Sequence, residues 1–531
     1  MRIGSSVLGY LLVLAAAAQP AWLPLSREVE QPYATQLSIH GSSFHTAIRP
    51  YRRDEVAALA GPDSLRQVSI IPSLDRWAGV RNGRRVRWGP LVDASLGLVP
   101  DTSLVLPYRA GAGFWTDVDA GKSLSFHLDA QAWTEQFAPY LDTLVRATQV
   151  TPGEGYAQGS GPAYTHYDWN GHVSWDPGKY FNFTLGRGRN SFGEGHRSLF
   201  LSNEAYSYPY LRITTSVWHI KYVNLFSQMS DIRGAGGVAS DFHRKYTSMH
   251  YLSWNASKRV NVSLFETIVW SSGDSAYPRG FDMNYLNPII FYRPVEYSIG
   301  SPDNALLGIG LNVKVGKRTL IYSQFMLDEF LLEEVRSGSG WYGNKQALQL
   351  GLVSRDAFGK KGLVLRGEWN VVRPFMYTHS DTRQNYAHFG QALAHPYGSN
   401  FQEAIVHADF SNGRWQYRLR TSMAWLGSDR DDSFGNNIFR PESERPRDEE
   451  GDLVDRGFRI GRVSQVNLFH GELRAGYLLD PSTGTRVELS YLYRSRTQEI
   501  IGNQQSHNIR LGIACYFRDS HPEQEVRYVL P

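Results

Sequence analysis

A two-residue alternation of apolar and polar side chains recurs from about residue 123 almost to the C-terminus, and it constrains this chain more than any other feature. Tyr167, Trp169, Gly171, Val173 and Trp175 alternate with Asp168, Asn170, His172 and Ser174. Leu307, Ile309, Leu311, Val313 and Val315 alternate with Gly308, Gly310, Asn312 and Lys314. Trp415 to Trp425, Leu473 to Leu479 and Ile509 to Phe517 repeat the pattern. Successive strand side chains point to opposite faces, so each segment reads as a strand with one oily and one wet face. A half-exposed soluble sheet and a membrane barrel both satisfy that description.

The connections separate the two. Tight turns fall at Asp176–Lys179, Asn255–Lys258, Gly316–Arg318, Ser411–Gly413 and Asp480–Gly484, all rich in Gly, Asn, Asp, Pro or Ser. Between them lie long polar segments at about 187–210, 271–304, 328–344, 373–400 and 427–465. Short turn followed by long loop is the rhythm of an outer-membrane barrel. "VSWDPGKYFNFTL" and "LSWNASKRVNVSL" form a weak internal repeat, and Trp175 and Trp254 each close a strand before its turn, where an interfacial aromatic belt would sit. Spans of roughly 9–11 residues plus connections predict about 16–20 strands. The expected fold is therefore an all-β, antiparallel outer-membrane barrel over 104–517, with a C-terminal tail at 518–531.

The N-terminal part reads differently. Arg2, the apolar run Val7–Ala18 and Ala16-Ala17-Ala18 make an export signal over 1–18, with the mature chain starting near Gln19. Residues 19–103 are expected to form a partly helical periplasmic or plug region, with a helical start at Asp54-Glu55 and a stop at Gly61-Pro62. The single cysteine, Cys515, excludes an intrachain disulfide, and the alternation places it toward lipid. Forty-five of the 55 basic residues are arginine, which suits either a GC-rich genome or a surface facing carboxylate and phosphate. A net charge of +4 without basic runs gives no support for nucleic acid.

Enzymatic and nucleotide-binding motifs fail on inspection. In "GRGRNSFGEGHR" (Gly186–Arg197) the third glycine of a dinucleotide fingerprint would fall on Ser191, and Gly121-Lys122-Ser123 has Thr116 where a phosphate loop needs glycine. The acidic segment Asp429–Asp455 holds ten carboxylates, but Gly435 comes one place late for a calcium loop. No catalytic residue, metal site or cofactor is expected. What remains is a set of Arg-rich, aromatic loops. Arg187, Arg189, Asn190, Glu194 and Arg197 in one loop, and Asp282, Asn284, Arg293 and Glu296 in "FDMNYLNPIIFYRPVEYS", are candidate polysaccharide-binding residues. Planar guanidinium, amide and carboxylate groups pair with hydroxyls and uronates. The competing reading makes them arginine–carboxylate networks that brace the barrel.

The segments "LGRGRNSFGEGHRSLFLS", "YPYLRITTSVWHIKYVNLFSQM", "FDMNYLNPIIFYRPVEYSIGSPDNALLGIGLNVKV" and "SIHGSSFHTAIRPY" resemble the Wzi-like capsule assembly family, in particular its Bacteroidetes, gliding-motility RemB-like branch. The resemblance implies an outer-membrane barrel with a small periplasmic helical part and a lectin-like, non-enzymatic role in holding capsular polysaccharide at the cell surface. Outer-membrane lipid and lipopolysaccharide are further expected partners, as is the barrel assembly machinery. A tail after Phe517 and the long 427–465 insertion depart from the family pattern. A passive porin, a barrel hydrolase and a structural component of surface motility or adhesion machinery are the alternatives.

Overall fold

The computed structural model describes residues 22–26, 43–53, 55–56, 79–81, 84–100, 104–273, 279–290, 303–480, 483–499 and 502–515. The signal segment, most of 19–83 and the tail from 516 onward lie outside them, as do Arg293 and Glu296. Eighteen antiparallel strands close into a barrel, within the expected range. In chain order they are β1 Arg84–Pro100, β2 Tyr108–Ala120, β3 Leu124–Gln136, β4 Tyr164–Trp175, β5 Phe181–Gly188 and β6 Tyr208–Val217. β7 Ile220–Asp231, β8 His243–Trp254, β9 Val260–Ser271, β10 Asn304–Val315, β11 Thr319–Leu327 and β12 Gln346–Arg355 follow. β13 Leu363–Val372, β14 Phe401–Asn412, β15 Trp415–Gly427, β16 Gln465–Asp480, β17 Thr485–Gln498 and β18 Gly502–Ala514 complete the wall. β18 pairs back onto β1, Ile509 opposite Leu98 and Ile513 opposite Ala94, so the main sheet has no free edge between its first and last strands.

Two expectations need correction. The barrel begins at Arg84, not 104, because β1 belongs to the wall, paired with both β2 and β18. The alternation there is blurred: Leu91 and Val99 face inward beside Asp93, while Trp88, Val92, Leu96 and Leu98 face out. Cys515 does not face lipid. β18 ends at Ala514, and Cys515 turns inward to pack with Leu91 and Trp115.

Apart from the tight link between β17 and β18 at the opposite end, the short connections, including the five foreseen, are eight that join β2 to β3, β4 to β5 and so on to β16–β17, and therefore lie at one end. A belt of exposed aromatics circles that end: Trp88, Trp175, Phe181, Trp218, Trp254 and Trp415. The long connections lie at the other end. One of them, 137–163, carries helix α1 (Pro139–Thr148), whose 3.6-residue periodicity hid it from a search for alternation. A second helix, α2 (Leu332–Ser337), sits between β11 and β12.

The loops do not stand clear of the barrel. Segments 189–207, 373–400 and 428–464 fold into it and build an apolar plug. Leu199, Phe200, Leu201, Met376, Tyr377, Tyr386, Leu393, Tyr397 and Ile438 pack against inward Val223, Leu225, Met249, Phe265, Leu306, Met326 and Val372. Several backbone carbonyl and amide groups of this mass are met by side chains. Tyr377 Oη donates to Leu199 O at 2.9 Å, Tyr386 Oη to Phe200 O at 2.7 Å, and Leu199 N to Gln324 Oε1 at 2.8 Å. From the short-turn end, Ile48–Arg49 enters the lumen and pairs with Ser191–Phe192. Lys221 binds Glu55, and Arg52 forms a fork with Asp176 at 2.9 and 2.8 Å, so the N-terminal segment is tied to the wall at the short-turn end.

Gly308 on β10 shows how close the approach is, because a Cβ there would run into the Phe200 ring. Gly308→Val is therefore expected to displace Phe200 while leaving the barrel assembled. Overpacking of this kind costs roughly 1–3 kcal/mol. Faster protease cleavage within 189–207, with unchanged strand content by circular dichroism, is the expected readout.

Candidate functional site

The stretch Gly186–Arg197 starts in the wall and ends in the lumen. β5 pairs with β4 only as far as Arg187 opposite Gly171, after which the chain leaves the sheet. Arg187 bonds Asp168 Oδ1 at 2.8 Å and lies between the Trp169 and Tyr206 rings, 4.9 and 4.8 Å from their centroids. Arg189 donates to Asn203 O, and Asn190 Oδ1 accepts from Arg212. Glu194 accepts from Thr46 of the N-terminal segment, and burial pushes its carboxyl above the ordinary range. Arg197 forms a fork with Glu403, at 3.3 and 3.1 Å, while its backbone N–H and that of His196 donate to Glu368. These five candidates are largely withdrawn from solvent, Arg197 at 2% exposure. The geometry corrects the assignment of Arg189, Asn190, Glu194 and Arg197 to an outward loop, because they brace the plug against the wall, whereas Arg187 keeps the outward register of Phe181 and Leu185 and packs on Trp169.

Asp282 and Asn284 are placed elsewhere, and together they form one small turn. Asp282 accepts from Asn284 N and binds Arg279, which also forks onto Asp303. The arginine beside it holds the Asp282 carboxyl below its usual range against the cost of burial. This segment, 279–290, lies on the outer surface of the barrel. Ser248, His250 and Tyr222, which point outward from β8 and β7, bond Tyr285 O, Asn287 O and Pro288 O. Beneath it Asn224, His250 and Glu266 stand opposite one another across β7, β8 and β9. A polar row on a lipid-facing wall must be covered by protein, and the loop supplies the cover. Sequence reading missed it because the row interrupts the apolar face at a different position in each strand.

At the long-loop end, arginines clamp the loops to one another. Arg233 binds Asp231, donates to Phe439 O and Thr382 O, and stacks on Phe439. Arg445 lies 3.4 Å from the Tyr342 ring centroid, Lys345 bridges Glu329 and Glu442, and Arg456 reaches Glu334 on α2. In the acidic segment the Asp429 carboxylate accepts from the backbone N–H groups of Phe434, Asn436 and Asn437, which fixes the loop's entry. Exposed around this rigid frame are Asp431, Asp432, Arg430 and the hairpin 447–453.

The lumen wall is electrically divided. Inner faces of β1 to β3 carry Asp93, Asp117, Asp119, Asp129 and Glu135. Arg109 lies among Asp93, Glu135 and Glu154, at 2.6, 3.1 and 2.7 Å, and His166 bonds Glu135. Glu135, Glu154 and His166 are spaced to hold a cation, and the guanidinium of Arg109 binds both of these carboxylates. Inner faces of β15 to β18 are basic instead: Arg418 and Arg420, then Arg474, then Arg486, Arg494 and Arg496, then Arg510.

No protein-family model matches the chain, and no curated protein matches it in sequence. Solved structures do match in fold. Wzi from Escherichia coli, described as an outer-membrane protein involved in group 1 capsule assembly and a carbohydrate-binding β-barrel, superposes with a TM-score of 0.54 at 11% identity. The match covers 93% of this chain and 99% of that one. OccK8 (OprE) and the outer-membrane protein OpdK, both from Pseudomonas aeruginosa, match at TM-scores of 0.41 and 0.43, each at 8% identity. They cover 80% and 81% of this chain, and 97% of each of theirs. The chain is an outer-membrane β-barrel with the architecture of Wzi.

Two outcomes are expected from the bracing. Arg197→Ala leaves Glu403 buried without its guanidinium, a loss of about 3–5 kcal/mol. The plug should loosen, read as increased ion conductance in planar bilayers, and Arg197→Lys should restore part of the closure. The second concerns pH. His45 shares Ser253 Oγ at 2.8 Å and accepts at Nε2 from Asn255. Burial, helped by Lys221, lowers its pKa from 6.5 to about 3. A depressed histidine is neutral when folded, so the stability it contributes is intact above pH 6.5 and is lost as pH falls toward 3. Protease nicking of the 43–53 segment should rise across that window, and His45→Gln should flatten the profile.

Proposed function

We propose that this protein is a non-enzymatic, surface-exposed barrel that holds capsular or extracellular polysaccharide and supports capsule assembly or cell-surface attachment. It would be a Wzi-like protein of the Bacteroidetes, gliding-motility RemB-like branch. One observation carries the reading: three long loops fill the lumen and are locked to each other and to the wall. A rigid, closed outer face suits binding better than bulk passage, since preorganised groups lose less entropy when a ligand engages. Many weak contacts along a repeating polymer then add up through avidity. The Wzi barrel is itself described as carbohydrate-binding, which supports the same role. Export by the N-terminal signal, insertion by the barrel assembly machinery and contact with lipopolysaccharide belong to this reading.

With Arg189 and Arg197 engaged inside and Arg187 held against Trp169 on the outer wall, the polymer-binding surface moves to the exposed loop frame around Arg430, Asp431, Arg440 and the 447–453 hairpin. Replacing 447–453 by a short Gly/Ser turn is expected to leave the folded barrel intact and to reduce polysaccharide pull-down by purified protein several-fold. Equal pull-down by the trimmed and native proteins would remove the loop frame from the mechanism. Large conductance of the native protein in bilayers would favour a porin instead.

A further inference from the structure

Lysine is scarce in this chain, and where it is exposed it follows one rule. Lys122, Lys179, Lys258, Lys317, Lys360 and Lys361 are the six exposed lysines, and each lies in one of the short connections at the short-turn end. The other four, Lys221, Lys245, Lys314 and Lys345, are buried or half-buried. Arg259 and Arg318 are exposed beside Lys258 and Lys317. Among the described residues no exposed carboxylate in these connections answers the charge. Asp176 forks with Arg52, Asp356 Oδ1 accepts from Gly362 N, and Asp480 is buried. The short-turn end thus carries a positive rim along the arc from β2 to β13.

The internal repeat places two of these lysines. In Val173–Leu185 and in Leu252–Leu264 a tryptophan closes the strand and a lysine follows four residues later, Trp175 with Lys179 and Trp254 with Lys258. Both tryptophans belong to the aromatic belt, so the charge sits just beyond the indoles. Ring contacts put lysines on the outer perimeter of the barrel. Lys179 Nζ lies 5.5 Å from the Tyr180 ring centroid, and Lys360 Nζ lies 5.4 Å from that of Phe410, which shares the outward face of β14 with Val406. Phe358, in the same connection as Lys360 and Lys361, is 95% exposed. A phenyl ring held out in water gains nothing, whereas at a bilayer interface it is an anchor. Lysine stems lie along apolar surface while the ammonium reaches the headgroups.

We infer that this rim binds anionic phospholipid in the leaflet at the short-turn end, each ammonium pairing with headgroup phosphate. Neighbouring short connections are two strands apart, roughly 10 Å, which lets each meet its own headgroup. Attraction of clustered lysines to anionic lipid adds up charge by charge and acts within a Debye length of the surface. A soluble anionic polymer offers the same charges but has no use for an aromatic ring beside the ammonium, so the pairing of rings with lysines favours lipid. The inference needs the barrel in its bilayer and is independent of what the outer face holds.

The full-length barrel, reconstituted in phosphatidylcholine vesicles with trace spin-labelled phosphatidylglycerol or phosphatidylcholine, tests it. Phosphatidylglycerol should be immobilised at the protein surface several-fold more than phosphatidylcholine, and added salt should shrink the difference. Replacing Lys179, Lys258, Lys317, Lys360 and Lys361 by Gln should remove the preference, while Arg at the same positions should keep it. Should the Gln variant fail to insert, Lys179→Gln with Lys360→Gln alone should lower the preference. Equal immobilisation of both lipids by the native barrel, a preference insensitive to salt, or one unchanged by the Gln substitutions overturns the inference. Sodium polygalacturonate bound through these lysines by the barrel in neutral detergent, with no phosphatidylglycerol preference in vesicles, assigns the rim to a soluble polymer and overturns it too.

Discussion

Everything in this molecule follows from the need to pair each backbone N–H and C=O where no water can do so. A sheet that crosses a bilayer has to close on itself, and the pairing of β18 with β1 is that closure. Closure fixes the side-chain chemistry at once. One face of every strand meets lipid and the other meets an interior that eighteen strands make too wide for wall side chains alone to fill. The wide interior, more than the wall, is where the protein's individuality lies.

The chain answers that geometry with its own loops. A dry mass of Leu, Phe and Tyr from three loops fills the β7 to β14 side, and arginine–carboxylate forks pin it in place. Buried ion pairs of this kind add little net stability compared with apolar packing, but breaking one is costly, so they fix register and position. The same logic explains the outer loop at 279–290, which shields a His–Glu–Asn row from lipid. It also explains Arg109, set among buried carboxylates that would otherwise repel one another. The arginine richness that first suggested a ligand-facing surface is thus largely internal.

Much of the fold was legible in the sequence because period-2 alternation is a local property that lipid enforces strand by strand. Turns such as Asp176–Lys179 and Gly316–Arg318 announced themselves through residue type, and Trp175 and Trp254 marked the interface. Where both faces of a segment carried apolar groups, as in β1 with Leu91 and Val99, the signal vanished and the barrel boundary was placed too late. Cys515 fell to the wrong side because the strand stopped one residue before it. The candidate site fared less well. Arg187 to Arg197 and Asp282 to Asn284 read as two equivalent polar loops, yet one enters the lumen and the other lies on the outer wall.

Sequence alone therefore determined that this chain is a two-faced barrel with short turns at one end and long loops at the other, since alternation and turn chemistry act between near neighbours. Tertiary structure alone decided which loops fold inward and which arginines meet carboxylates. Those choices depend on residues far apart in the chain, such as Arg197 and Glu403, meeting across a lumen whose shape exists only once the last strand has joined the first.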